Sequence, residues 1–202
     1  MQPLNRLKPP SLAHWFGTDI YGRDILSRVM IATRLTLGTS ICVVIVVAFF
    51  GILIGSVSGY HRIAGSFLMR IVDAMMSFPS MLLALFLASI MGPGFTTVMI
   101  AVVAVYIPRL ARLVHAVTLT IAVNTYIDSA KAVGVGELRI LTRYIILNAL
   151  SPIIVQCSFL LANTILLLAV LDFLGVGFPP DVPSWGNMIA TSRVYITRAP
   201  WL

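Results

Sequence analysis

The sequence predicts an all-α protein: a polytopic membrane helical bundle with about four spans. Three observations carry that expectation. Hydrophobic residues make up 59% of the 202 positions and charged residues only 10%, where a soluble domain has roughly a quarter charged. Mean hydropathy is +0.99. Residues 35–60 contain no Lys, Arg, Asp, Glu or His, and at about 1.5 Å per residue they outlast the roughly 30 Å hydrocarbon core of a bilayer.

Residues 35–60 form the first expected span. The polar break "HRIAGSFLMR", with His61, Arg62 and Arg70, follows it. The next apolar run carries no charge from Ala74 to Pro108, too long for one crossing, and "GPGF" at residues 92–95 supplies turn chemistry in its middle. It divides into spans over 67–91 and 96–113. Pro79 is expected to kink the first of these, and Asp73 to pair with Arg70 at i,i+3 or to line a pathway. A fourth span is expected over 145–171, with Pro152 kinking it or marking its effective start. The remainder is rich in proline and too polar to cross; it reads as a loop with a short helix over 185–191, in which Trp185 serves as an interfacial anchor.

Several function classes are weakly supported. The net charge of +7 arises from residues flanking apolar runs, not from an aromatic-interleaved basic stripe, so lipid is favoured over nucleic acid. Cys42 and Cys157 lie inside apolar runs and are expected to pack in the membrane. His14, His61 and His115 lack metal-ligand spacing, and no nucleophile–base or paired-carboxylate arrangement is evident. No catalytic residue, metal or cofactor is therefore expected. The start lacks a continuous apolar stretch of the signal-peptide kind. Charge does not orient the spans, because Arg62, Arg70, Arg109, Arg112, Lys131, Arg139 and Arg143 on one side equal in number Arg6, Lys8, Arg23, Arg28, Arg34, Arg193 and Arg198 on the other.

Residues 124–152, "NTYIDSAKAVGVGELRILTRYIILNALSP", break the apolar pattern with Asp128, Lys131, Glu137, Arg139 and Arg143. Thr125 and Asp128 fit a helix-capping spacing that starts a helix at Tyr126. Gly134 can end it in a left-handed conformation, and Glu137 suits the first turn of a second helix. A helix of about eight residues is marginal alone and needs a surface. Lipid headgroups and a protein partner both remain open; the small residues Ser129, Ala130, Ala132 and Gly134 favour protein.

This segment resembles the EAA loop of binding-protein-dependent ABC transporter permeases. Asp128, Ser129, Ala130 and Gly134 occupy its Glu-Ala-Ala-x-x-x-Gly block, and Leu147 stands where proline is usual. A second stretch, "FGTDIYGRDILSR", is similar to the signature of the dipeptide, oligopeptide and nickel permease subunits through Gly17, Thr18, Asp19, Gly22, Arg23, Asp24, Ser27 and Arg28. The likeness runs from about residue 14 to residue 192.

The resemblance implies a six-span fold with both termini cytoplasmic, of which this chain is expected to lack the first and last spans. That places residues 1–34, with their motif, as a periplasmic or interfacial segment. Residues 35–171 become the transmembrane domain, including a cytoplasmic loop over 109–144, and residues 172–202 a periplasmic loop with a short helix. Asp172, at the end of a span, is expected to face the pathway or the aqueous boundary, or to lie exposed at the interface. The implied protein is a non-enzymatic permease subunit of a bacterial inner-membrane importer for di- or oligopeptides, with nickel and glutathione open as cargo.

No Gly-x-x-x-x-Gly-Lys-[Ser/Thr] stretch occurs in these residues, so ATP hydrolysis is expected in separate cytoplasmic ATP-binding subunits. A second permease subunit and an external solute-binding protein are the other implied partners. Asp128, Ser129, Ala130, Lys131 and Gly134 are the implied coupling residues. A truncated inactive permease and a secondary transporter are the alternatives.

Overall fold

The computed structural model describes residues 6–202. Among them every named element is helical: α1 (Ile25–Tyr60), α2 (Arg62–Met76), α3 (Ser80–Met91), α4 (Phe95–Ala122), α5 (Thr125–Ala132), α6 (Glu137–Arg139), α7 (Leu150–Phe173) and α8 (Trp185–Ser192). A π-helical turn, Ile140–Ile146, follows α6, and a 3₁₀ turn, Arg193–Tyr195, follows α8. Three helices, α1, α4 and α7, are long and apolar enough to cross a membrane; α2 and α3 add a fourth crossing only if taken together.

Three expected boundaries change. Helix α1 starts at Ile25, ten residues before the uncharged run, because Asp24 caps it and Asp19 holds Arg28. The second span is not one helix: α2 and α3 meet at an 86° bend. Pro79 cannot donate a backbone hydrogen bond there, and the Ser77 hydroxyl closes α2 by donating to the Ala74 carbonyl at 2.7 Å. Helix α4 continues to Ala122, so Arg109 and Arg112 are helical residues and not loop residues. Asp73 accordingly pairs with Arg112 of α4, in place of the expected Arg70. Pro152 falls in the first turn of α7, where its missing donor leaves no intrahelical bond unmade.

The chain forms two compact units. In the unit built from residues 41–84 and 100–164, α1 and α4 lie close along a ladder of small residues. A Cβ on Gly51 would come within 2.9 Å of Leu110, one on Gly55 within 2.5 Å of Val114, and one on Gly59 within 2.6 Å of Thr118. Lipid tails are as apolar as leucine, so burial gives little drive for helix association there and close van der Waals contact matters most. The Ser58 hydroxyl and His115 Nδ1, 2.9 Å apart, add a polar link between the same two helices. Leu110, Ala111, Val114 and Thr118 are completely buried as a result.

The other unit comprises the described residues up to Ser40 with Leu85–Met99 and Ile165–Leu202. Its C-terminal loop is organised around Asp172, which is 2% exposed. The Phe178 N–H donates to its carboxylate at 2.8 Å. Asp172 is thus buried against its own loop and not exposed at an interface; the folded-back loop supplies the hydrogen bond that its carboxylate needs. Asn187 reinforces the loop by donating to the carbonyls of Pro179 (3.0 Å) and Val182 (3.1 Å). Trp185 donates to the Thr33 hydroxyl of α1 at 3.1 Å, so its indole N–H is engaged by protein.

Gly55→Leu should destabilise the protein by about 2 kcal/mol or more through overpacking against α4. Gly38→Ala, at a position with nothing within 4 Å of the added carbon, should be neutral or stabilising by about 0.5–1 kcal/mol. Thermal unfolding in detergent, followed by intrinsic fluorescence, checks the pair.

Candidate functional site

The charged segment forms a compact elbow. Helix α5 begins after Asn124, not through a Thr125 cap: the Asn124 side chain makes no cap bond and instead donates to the Ile121 carbonyl at 3.1 Å, closing the end of α4. Ile127 of α5 is fully buried with Ile140 and Ile145, and Tyr60, Ile121, Ala122, Val135, Leu141 and Tyr144 pack around them. The short helix is therefore seated on the ends of α1 and α4 and on the π-helical turn. This contact provides the surface that eight residues need to stay helical.

Gly134 ends α5 as expected, with φ +83°. Its N–H donates to the Lys131 carbonyl at 2.9 Å, and the Val135 N–H donates to that of Ala130 at 3.0 Å, the paired bonds of a Schellman stop. Gly136 then starts α6, with Glu137 in its first turn. Leu147 keeps helical dihedrals, and the Ala149 N–H donates to the Ile145 carbonyl at 3.0 Å. The backbone consequently runs on into α7 with no proline break.

Of the implied coupling residues, Asp128, Ser129, Lys131 and Gly134 are exposed, whereas Ala130 faces inward at 8% exposure. Asp128 and Lys131 form an i,i+3 pair at 3.6 Å, and Lys131 Nζ also stands 5.7 Å from the Tyr60 ring. The Ser129 hydroxyl donates to the Thr125 carbonyl at 3.0 Å. Sequence reasoning missed the apolar part of this surface: Val133 is 85% and Leu138 76% exposed. Their position beside the helix stop, where a soluble turn would be polar, is the signal that could have found them.

The N-terminal motif is a separate cluster with structural work to do. Gly17 has φ +77°, and a Cβ there would meet the Lys8 carbonyl at 2.5 Å. Thr18 is fully buried, and its hydroxyl accepts from the Lys8 N–H at 2.9 Å. The Asp19 carboxylate accepts from the Tyr21 and Arg23 N–H groups, both at 2.8 Å, and from Arg23 Nε at 2.7 Å. It wraps the turn in which Gly22 takes φ +72°.

Asp24 accepts from the N–H of Ser27 at 2.8 Å and from its hydroxyl at 2.7 Å, while His14 Nδ1 stands 3.0 Å from the other oxygen. The Ser27 backbone bond, followed by the Ser27 and His14 side chains, lowers the Asp24 pKa below its ordinary value of 3.8. A depressed carboxylate contributes stability above its unfolded pKa and loses it as pH falls through the folded one. Amide exchange at residues 25–30 should therefore quicken below about pH 4 in the native chain. Asp24→Asn should keep a capping oxygen but abolish that acid response, and Asp24→Ala should speed exchange at every pH, by a loss of about 1 kcal/mol.

Residues 48–199 match the family described as the binding-protein-dependent transport system inner membrane component. A Brucella suis biovar 1 permease protein named for peptide transport is 41% identical over 98% of this chain and 67% of its own length. The dipeptide transport system permease protein DppC of Alkalihalophilus pseudofirmus is 40% identical over 98% of the chain and 66% of its own length. The glutathione transport system permease protein GsiD of Pectobacterium atrosepticum is 40% identical over 95% and 64% respectively. The chain thus spans about two thirds of the length of these relatives. With its apolar crossing helices, its short seated helix and a family match over most of its length, this chain is a multi-pass membrane protein that belongs to the binding-protein-dependent transport system inner membrane components.

Proposed function

We propose that this chain forms part of the translocation pathway of an ABC importer for short peptides, driven by a separate cytoplasmic ATPase. The observation that carries the reading is the elbow around α5. A rigid helix is seated from behind by Ile127 and stopped by Gly134, and it presents Asp128, Ser129 and Lys131 beside exposed Val133 and Leu138. Exposed apolar side chains rimmed by charge mark a protein-docking surface.

A partner that closes on ATP can push such a helix as a rigid body, and its seat passes the displacement to α1, α4 and the π-helical turn. Ala130 then serves the seat, while Asp128, Lys131 and Gly134 serve the outer surface. The names of the relatives support peptides as cargo, with glutathione as one member of that chemical class. On this reading the elbow is cytoplasmic, and residues 1–34 and 172–202 lie on the outer face of the inner membrane. A second permease subunit and an external solute-binding protein complete the assembly.

The test is reconstitution of the complex encoded with this chain, with labelled di- and oligopeptides. Uptake should need ATP and survive collapse of ion gradients; uptake driven by a gradient without ATP would mean a secondary transporter. Leu138→Glu should lower recovery of the ATPase with the tagged permease about tenfold or more, as for an interface anchor worth about 1.4 kcal/mol or more. Gly134→Val, which forces a branched side chain into a left-handed conformation, should leave the complex hydrolysing ATP with little uptake. Coupling intact in both variants would sink the docking assignment.

A further inference from the structure

Arg109 and Arg112 lie deep in α4. That helix is about 42 Å long, with Arg109 about 21 Å from its start and Arg112 about 26 Å. Where a roughly 30 Å hydrocarbon core lies wholly within a helix of that length, both α-carbons fall inside it. Tilting α4 lengthens the segment within the core and does not release them.

Each arginine reaches a different side of the α2–α3 break. Arg112 pairs with Asp73, in the last turn of α2. Arg109 Nη2 donates to the hydroxyl of Ser80, the first residue of α3, at 3.1 Å, and its guanidinium lies 5.5 Å from the Tyr106 ring. Between these two grips stand Phe78, 62% exposed, and Pro79. The Arg112 and Asp73 side chains are 53% and 50% exposed. Charges at bilayer depth do not turn half their surface to lipid; they face water or protein.

We propose that this face of α4, with the α2–α3 break opposite it, lines the aqueous translocation pathway, and that the Arg112–Asp73 pair is a clasp that parts when the pathway opens. The inference rests on the importer reading and deepens it by naming positioning residues. A span broken at Pro79 can change its bend only if the elements on either side of the break move relative to α4. Arg112 holds one of those elements and Arg109 the other. Arg70, also on α2, is the cation nearest in sequence to Asp73, but the ion pair of Asp73 is with Arg112.

The experiment uses the complete complex in proteoliposomes, with Cys42 and Cys157 replaced by serine and a single cysteine introduced as Phe78→Cys. The membrane-impermeant thiol reagent MTSES, supplied on both faces, should modify that cysteine. Phe159→Cys, 65% exposed on the charge-poor helix α7, is the comparison expected to face lipid and should react far more slowly. Equal rates at the two positions overturn the pathway assignment.

In the resting complex, Asp73→Asn or Arg112→Gln should speed modification of Phe78→Cys about fivefold, in keeping with a half-exposed ion pair. The exchanged pair Asp73→Arg with Arg112→Asp should return the rate towards that of the parent. A merely structural loss would not be rescued by exchange, so single variants that label at the parent rate, or an exchanged pair that labels like the singles, overturn the clasp. Failure of the parent complex to take up peptides overturns the cargo reading instead and leaves these labelling rates interpretable.

Discussion

The close approach of α1 to α4 is the contact on which the best-defined part of this protein depends. Gly51, Gly55 and Gly59 recur every four residues and so fall on one face of α1, where any side chain would collide with Leu110, Val114 or Thr118. With the two helices held this close, Tyr60 at the end of α1 and Ile121 and Ala122 at the end of α4 come together around Ile127. The seat of the short helix is thus a consequence of a packing decision made well inside the apolar region. Widening the α1–α4 spacing would separate the helix ends and remove the surface that keeps α5 folded.

Polar groups in the same unit are distributed by cost. Ser58 and His115 satisfy each other across the α1–α4 contact, and Tyr106 donates to the Asn163 carbonyl of α7 at 3.1 Å. Each saves a polar atom from an unpaired position in a medium that offers no water. The Arg112–Asp73 pair differs because both partners keep half their surface open. Buried hydroxyl and imidazole links suit fixed packing; a half-open ion pair beside a proline break suits an element that moves.

The outward face of the elbow and the inward face of the same short helix differ in burial. Ile127 and Ala130 point into the chain, whereas Asp128, Ser129 and Lys131 point away. On the proposed docking of a partner here, force applied to the outer residues would reach the spans through the inner ones, which are packed without slack. The N-terminal motif has no such duality. Asp19 and Asp24 spend their carboxylate oxygens on the turn and the cap that start α1, so local folding accounts for what they do in this chain.

Much of this was legible in the residues alone. Hydropathy determined the all-α membrane class, and Gly134 and Glu137 marked the stop of one short helix and the start of the next, because caps and breakers act over a few residues. The glycine ladder is present in the sequence, but its partner face on α4 is not, since pairing of distant helices leaves no periodic trace in either one. The length of α4 is hidden in the sequence because Arg109 and Arg112 look like boundary residues until Asp73 and Ser80 are found opposite them. The burial of Asp172 is hidden for the same reason: its partner is the folded-back Phe178 N–H, a neighbour made by the loop and not by the order of residues. The sequence by itself determined which segments are helical and apolar and where short-range signals start and stop them. Only the tertiary structure decided which charges are satisfied and by whom, because an ion pair or a buried carboxylate depends on groups that folding brings within about 3 Å from anywhere along the chain.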